Sequence, residues 1–185
     1  MNAWTRVIFL SLLAVVAAGC ESRTDEAGGG GVLLSVSDFD GLPIAGNVNT
    51  LAAAGFLQVG EFTISNVVKD PNGGSSSLMN VEIESYEVIY TRADTGTRVP
   101  PPLVRGLFGV VPVDGEYVVE NLPVMAQEQL LSPPLSDLLF QNGGFDKETG
   151  DTLIKINFFV RFFGRTLSGD EVETAPISFT VDFVP

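Results

Sequence analysis

Acidic side chains are the groups in this sequence whose type and spacing could do chemistry. They gather in three turn-like stretches: Asp38 and Asp40 in SDFDG; Asp146, Glu148 and Asp151 in FDKETGD; Asp170, with Glu171 and Glu173, in SGDEVE. Hard cations such as calcium take six to eight oxygens from carboxylates and backbone carbonyls in loops of this kind. Asp38, Asp40, Asp146, Glu148, Asp151 and Asp170 are therefore the candidate calcium ligands, although none follows the spacing of a helix-loop-helix calcium loop. The competing reading is a set of solvated turns that keep the domain soluble.

Catalysis finds little to work with. The chain has no histidine and one cysteine, Cys20. That excludes a Ser-His-Asp triad, a histidine-ligated zinc or haem, an imidazole pH switch and an intrachain disulfide. Paired carboxylates could hydrolyse sugars if they faced each other across a cleft lined for sugar. Strand alternation puts Glu82 and Glu84 on one face and Glu87 on the other. The only tryptophan is Trp4, and Tyr86, Tyr90 and Tyr117 are the only tyrosines. No catalytic residue is assigned, and an envelope hydrolase ranks third among the functional readings.

Charge narrows the partners further. The chain carries 10 basic and 23 acidic groups, net −13. Arg6 is the one charged side chain before Cys20, so a chain beginning at Cys20 carries −14. Nucleic acid and anionic lipid head groups both require clustered Lys and Arg, which this balance argues against.

Cys20 closes an apolar run. Met1 to Arg6 is short and basic, and Val7 to Ala18 (VIFLSLLAVVAA) has no charge. Twelve residues are too few to span a bilayer, which needs about 20. A basic start, a short apolar centre and small residues at its end describe a secretory signal. The sequence Ala17-Ala18-Gly19-Cys20 resembles the lipobox of bacterial lipoproteins, with Ala17 where Leu is commonest. The resemblance implies cleavage before Cys20, diacylation of its sulfur and usually acylation of the new amine, with palmitate-type chains holding the protein on a membrane. Glu21 follows Cys20 in place of the Asp linked to inner-membrane retention, so the resemblance favours the outer membrane, at its periplasmic face or on the surface. The next residues, ESRTDEAGGGG, are polar and then glycine-rich, and read as a flexible tether. The expected organisation is a signal peptide over 1–19, a tether over 20–31 and one folded domain over 32–185.

The folded part reads as strands and turns. In Ile177 to Phe183, Ile177, Phe179, Val181 and Phe183 share one face and Ser178, Thr180 and Asp182 the other. Leu153 to Phe163 has Ile154, Ile156, Phe158, Val160 and Phe162 on one face, and Gly164 to Asp170 supplies a turn between the two, which predicts a C-terminal hairpin. Phe159 and Phe163 fall on the opposite face, under a loop or helix or else in an exposed apolar patch that would mark a partner surface. In Val81 to Thr91 the apolar parity changes between Ile83 and Tyr86, which predicts a bulge near Ser85. Further strands are expected over 32–37, 61–68, 107–113 and 117–122, with Asp114-Gly115 joining the last two as a tight hairpin. Pro100 to Pro102 reads as a stiff extended connector. Helix is confined to Thr50–Ala54 and Ser132–Phe140, the latter with Ser132 as N-cap and Pro133 in the first turn.

Seven or so strands with little helix predict an all-β fold, a single antiparallel β-sandwich with an immunoglobulin-like arrangement as first choice. A Greek-key or jelly-roll sandwich is the alternative. The segment FFGRTLSGDEVETAPISFTVDF is similar to the final hairpins of immunoglobulin-like modules in bacterial envelope proteins. The usual Cys-Trp-Cys core is missing, so phenylalanine, with 13 copies, must take its place. The functional expectation is a lipid-anchored, non-catalytic binding or structural module of the bacterial cell envelope, an accessory subunit with an envelope protein partner, no nucleic-acid partner and no cofactor. The alternative is a calcium-dependent adhesion or ligand-binding module.

Overall fold

A computed structural model describes residues 31–43 and 45–185. Cys20, the signal segment and the tether up to residue 30 lie outside the described residues. The chain forms β1 (Val32–Asp40), β2 (Ala45–Asn47), α1 (Val48–Ala54), β3 (Phe56–Val68), β4 (Val81–Arg92), β5 (Leu103–Val111), β6 (Gly115–Ala126), α2 (Gln127–Leu130), β7 (Ile154–Thr166), β8 (Glu171–Glu173) and β9 (Ile177–Val184). Short 3-10 turns occupy Ser77–Met79, Leu135–Leu138 and Phe140–Asn142.

Two sheets pack face to face. One runs β1-β3-β6; the other runs β2-β9-β7-β4-β5, with β8 also on β7. In the lettering of an immunoglobulin-type sandwich β1-β3-β6 is the order A-B-E and β9-β7-β4-β5 the order G-F-C-C′. The fold is thus the all-β sandwich that the alternating strands predict. One pairing departs from antiparallel: β2 lies parallel to β9, Ala45 opposite Asp182.

Rings fill the space between the sheets. Phe62 on β3 meets Phe162 on β7 edge-on at 5.6 Å, bridging the two sheets. Tyr86 packs on Phe162, and Phe158 contacts Tyr90, Phe179 and Phe183. Two tyrosines also fasten one sheet to the other through their polar ends. Tyr86 Oη donates to Pro123 O at 2.7 Å, and Tyr90 Oη donates to Val124 O at 2.8 Å.

Strand β4 carries the bulge expected near Ser85. Its register slips between Ile83 and Ser85 against both β5 and β7, which returns Tyr86, Val88 and Tyr90 to the core face of Val81 and Ile83. The slip brings backbone close at Gly164 of β7, where an added Cβ would stand 2.5 Å from Glu82 O.

The C-terminal hairpin forms in two stages. The turn from Thr166 to Asp170 leads into β8, whose Glu173 stands opposite Phe163. The ladder then breaks before Pro176, where Thr174 exchanges bonds with Phe162, and resumes as β9 with Ile177 opposite Val160. Phe159 and Phe163 are half-buried on the outer face, with the Arg161 guanidinium 5.4 Å above the Phe163 ring. Neighbouring side chains cover part of them.

Three expectations need correction. Asp114-Gly115 does form a turn, with Gly115 N bonded to Pro112 O and Asp114 in the left-handed region, but it joins no hairpin. It carries the chain from β5 in one sheet to β6 in the other, and Pro112 has no N–H to continue a ladder. Strand β3 starts at Phe56 rather than Glu61. Its core parity switches from Leu57 and Val59 to Phe62 and Ile64, a slip that conceals the early part from a period-two reading. Ser132 is not an N-cap: its hydroxyl donates to Glu128 O, closing α2, and the following turn is the 3-10 turn Leu135–Leu138. The helix expected over Thr50–Ala54 is α1, capped by Asn47 Oδ1 on Thr50 N and ended by Gly55 in the left-handed region.

Candidate functional site

Two features of the sandwich stand out, an ion-pair cluster at one end and an exposed apolar edge. The cluster begins on β4. Arg92 continues the inward row Tyr86-Val88-Tyr90, so its guanidinium is carried towards the core and is 3% exposed. A buried cation needs carboxylate partners. Arg92 Nε meets Asp94 Oδ1 at 2.7 Å, and Nη2 meets Asp146 Oδ2 at 2.8 Å. Arg98, in the connection from β4 to β5, bonds Asp137 Oδ2 at 2.7 Å and Asp146 Oδ1 at 2.9 Å through Nη2. Lys147 lies 3.4 Å from Asp137. Glu148 stands 3.9 Å from Arg92 and 3.7 Å from Arg98, and accepts from the Thr97 and Arg98 amides and the Thr97 hydroxyl.

Asp146 is the centre of the cluster and its side chain is fully buried. Burial by itself raises its pKa. The Glu148 amide, Arg92 and the Thr149 hydroxyl outweigh that and hold it at about 2. The Thr97 hydroxyl and the Arg98 and Thr97 amides hold Glu148 at about 2 as well. Burial likewise opposes ionisation of Asp94, and its bonds to Arg92, Lys155 N and Gly96 N reverse the effect, lowering its pKa. For Arg92 the desolvation that lowers the pKa is overcome by Asp94 and Asp146. Carboxylates this acidic are weak bases near neutral pH, where a general base works best with a pKa close to the operating pH. What the arrangement does is tie the β4–β5 connection to the long β6–β7 connection.

The acidic residues singled out from the sequence fall in separate places. Asp38 and Asp40 sit at the end of β1 and accept from the amides that follow them, Phe39 N and Gly41 N. Asp146 and Glu148 belong to the cluster above. Asp151 is in the approach to β7, its carbonyl accepting from Asp146 N. Asp170 closes the β7–β8 turn and accepts from the Ser168 and Thr166 hydroxyls at 2.9 and 3.3 Å. Among the described residues, no three or more His, Cys, Asp or Glu side chains are grouped to hold a metal ion. Asp40 does face Glu61 on β3, and Glu61 faces Glu120 on β6; the three line one shallow pocket with Asn121 and the backbone of Gly41 and Gly60.

Arg92, Arg98, Asp94 and Asp137 were not singled out by residue type. The signal for Arg92 was its parity, a cation on the inward side of an otherwise apolar row.

The second feature is the edge strand β5. It has one sheet neighbour, β4. Val104, Phe108 and Val110 are exposed on it, Phe108 at 82%. Phe108 lies in the bulged stretch between Gly106 and Gly109, and its carbonyl accepts from Tyr117 Oη on β6. The Tyr117 ring packs where a side chain at Gly109 would otherwise sit. No charge other than Arg105 stands on the strand. Among the described residues no helix is long and apolar enough to cross a membrane.

Compared with protein-family models, curated proteins and solved structures, the chain matches none.

Proposed function

We propose that the chain is a lipid-anchored, non-catalytic binding module of the bacterial cell envelope, held by Cys20 and acting as an accessory subunit. The observation that carries the binding reading is the edge strand β5, with a strand neighbour on one side alone and exposed Val104, Phe108 and Val110. Folded proteins usually protect such edges with charge, proline or a cover. An edge left apolar suits an added strand from a partner, with backbone bonds giving affinity and alternate side chains giving specificity. The chain's net charge of −13, with exposed Glu82 on the neighbouring strand, selects a basic extended segment. The partner is therefore an envelope protein offering a basic, strand-forming stretch.

Photo-crosslinking from position 108 in intact cells tests this. A single envelope protein captured from Phe108, and lost in Val104→Lys, is the expected result. Capture that is equally strong from an exposed position on β6, such as Glu120, would remove the edge from the proposal. Cys20→Ser tests the anchor separately, by release of an intact domain from membranes.

A second reading, a calcium-dependent module, has its nearest candidate in the row Asp40-Glu61-Glu120, which falls short of a grouped carboxylate site. Like charges directly opposite on neighbouring strands are destabilising, and a bound cation would relieve them. A melting temperature unchanged by calcium and by chelator would eliminate this reading.

A further inference from the structure

The end of the sandwich where the chain enters also exposes apolar side chains. Gly31 lies against Met79, 3.6 Å from its Cε to the place of an added Cβ. Beside Met79 stands Leu78, 56% exposed, and Leu167 in the β7–β8 turn is 50% exposed. The two loops are bonded together, Leu167 N to Asn80 O at 2.9 Å and Ser168 N to Leu78 O at 3.0 Å. Leu33 and Val67, directly opposite each other on β1 and β3, are exposed at the same end.

We infer that this end of the domain docks on the bilayer surface, with Leu78 and Leu167 entering the interface. The inference rests on anchorage through Cys20. Eleven Cα–Cα steps lead from Cys20 to Gly31, a span of at most about 40 Å. The thirteen-residue strands β3 and β7 make the sandwich about 40 Å long, so even a fully extended connection barely lets the opposite end reach the surface. The end carrying Gly31 is the one held close. Tethering gives it a high effective concentration at the membrane, so two leucines suffice where they would not bind from solution. Asp70, Asp114 and Asp170 lie at this end with Lys69, which suits zwitterionic head groups and not anionic ones.

The test uses the lipidated chain beginning at Cys20, which holds no tryptophan, so that an introduced tryptophan is the only one. Leu78→Trp, Leu167→Trp and Leu131→Trp, the last at the opposite end, are each reconstituted into phosphatidylcholine vesicles with and without brominated acyl chains. The expected result is blue-shifted emission for Leu78→Trp and Leu167→Trp, with most of it lost to the bromines, and neither change for Leu131→Trp. Protein that floats with the vesicles but shows no difference between the two ends overturns the docking and leaves the anchor standing. Protein that does not float overturns the anchor and the docking together. Amide hydrogen exchange of the unsubstituted chain tests the docking without an introduced tryptophan. Residues 76–80 and 166–170 should exchange more slowly on vesicles than in Cys20→Ser, and equal rates in floating protein overturn the docking.

Discussion

Replacing Asp146 by Asn removes a charge from the centre of the ion cluster and keeps its shape. The bonds lost as charge-assisted contacts are Arg92 Nη2 at 2.8 Å and Arg98 Nη2 at 2.9 Å. Breaking a buried pair from one side costs about 3–5 kcal/mol. Arg92 keeps Asp94 at 2.7 Å and Arg98 is more than one-third exposed, so the expected loss is smaller, about 2–4 kcal/mol. For a domain of this size that lowers the melting temperature by about 5–12 °C. The loss also has a pH signature. Asp146 is depressed from 3.8 in the unfolded chain to about 2 in the folded one, which corresponds to about 2 kcal/mol of stability. A depressed carboxylate contributes fully above its unfolded pKa and loses that contribution as pH falls towards the folded value. The wild-type advantage over Asp146→Asn should therefore be full near neutral pH and narrow by about 2 kcal/mol between about pH 5 and pH 2. Urea unfolding followed by far-ultraviolet circular dichroism, at constant ionic strength, measures it. An advantage under about 1 kcal/mol at neutral pH, or one that does not narrow on acidification, would refute the placement of a structural charge at Asp146.

Tyr90→Phe keeps the ring and removes the buried bond to Val124 O, and should cost about 1–2 kcal/mol in the same unfolding assay. The Tyr90 phenol, which burial pushes well above its ordinary pKa, should show no phenolate absorbance until the domain unfolds in alkali. Glu61→Lys converts the Asp40-Glu61-Glu120 row into alternating charge and should stabilise by about 0.2–1 kcal/mol, less at high salt. Phe62→Leu and Phe162→Leu, taken singly and together, should couple by about 0.5–1.5 kcal/mol if the rings hold the sheets by their mutual geometry. Additivity would reduce the pair to area burial alone.

How much of this was legible depended on whether a local signal existed. The strand beginning at Leu153 and the strand Ile177 to Phe183 alternate without a break, and β7 and β9 begin within a residue of those readings. The bulge at Ser85 was readable because apolar residues flank it on both sides. The slip in β3 was not, since Gly60 and Glu61 interrupt the pattern with residues that point to no core face. Strand β2 has three residues and exists through its parallel partner β9, which no nearby residue announces. Turn chemistry at Asp114-Gly115 reported a reversal but not which sheet received the chain. The acidic turn around Asp146 was found by composition, whereas its arginine partners come from the end of β4 and the connection after it, and their meeting is a tertiary fact.

The Phe62–Phe162 contact has one more consequence, for the conditions under which the domain holds together. Immunoglobulin-type sandwiches often clamp these two strands with a cystine. Here two rings take that place, and Cys20 is the single cysteine of the chain, so no intrachain cystine can form. Folding therefore draws on no oxidant and no thiol exchange partner. The domain should melt at the same temperature in dithiothreitol and in air.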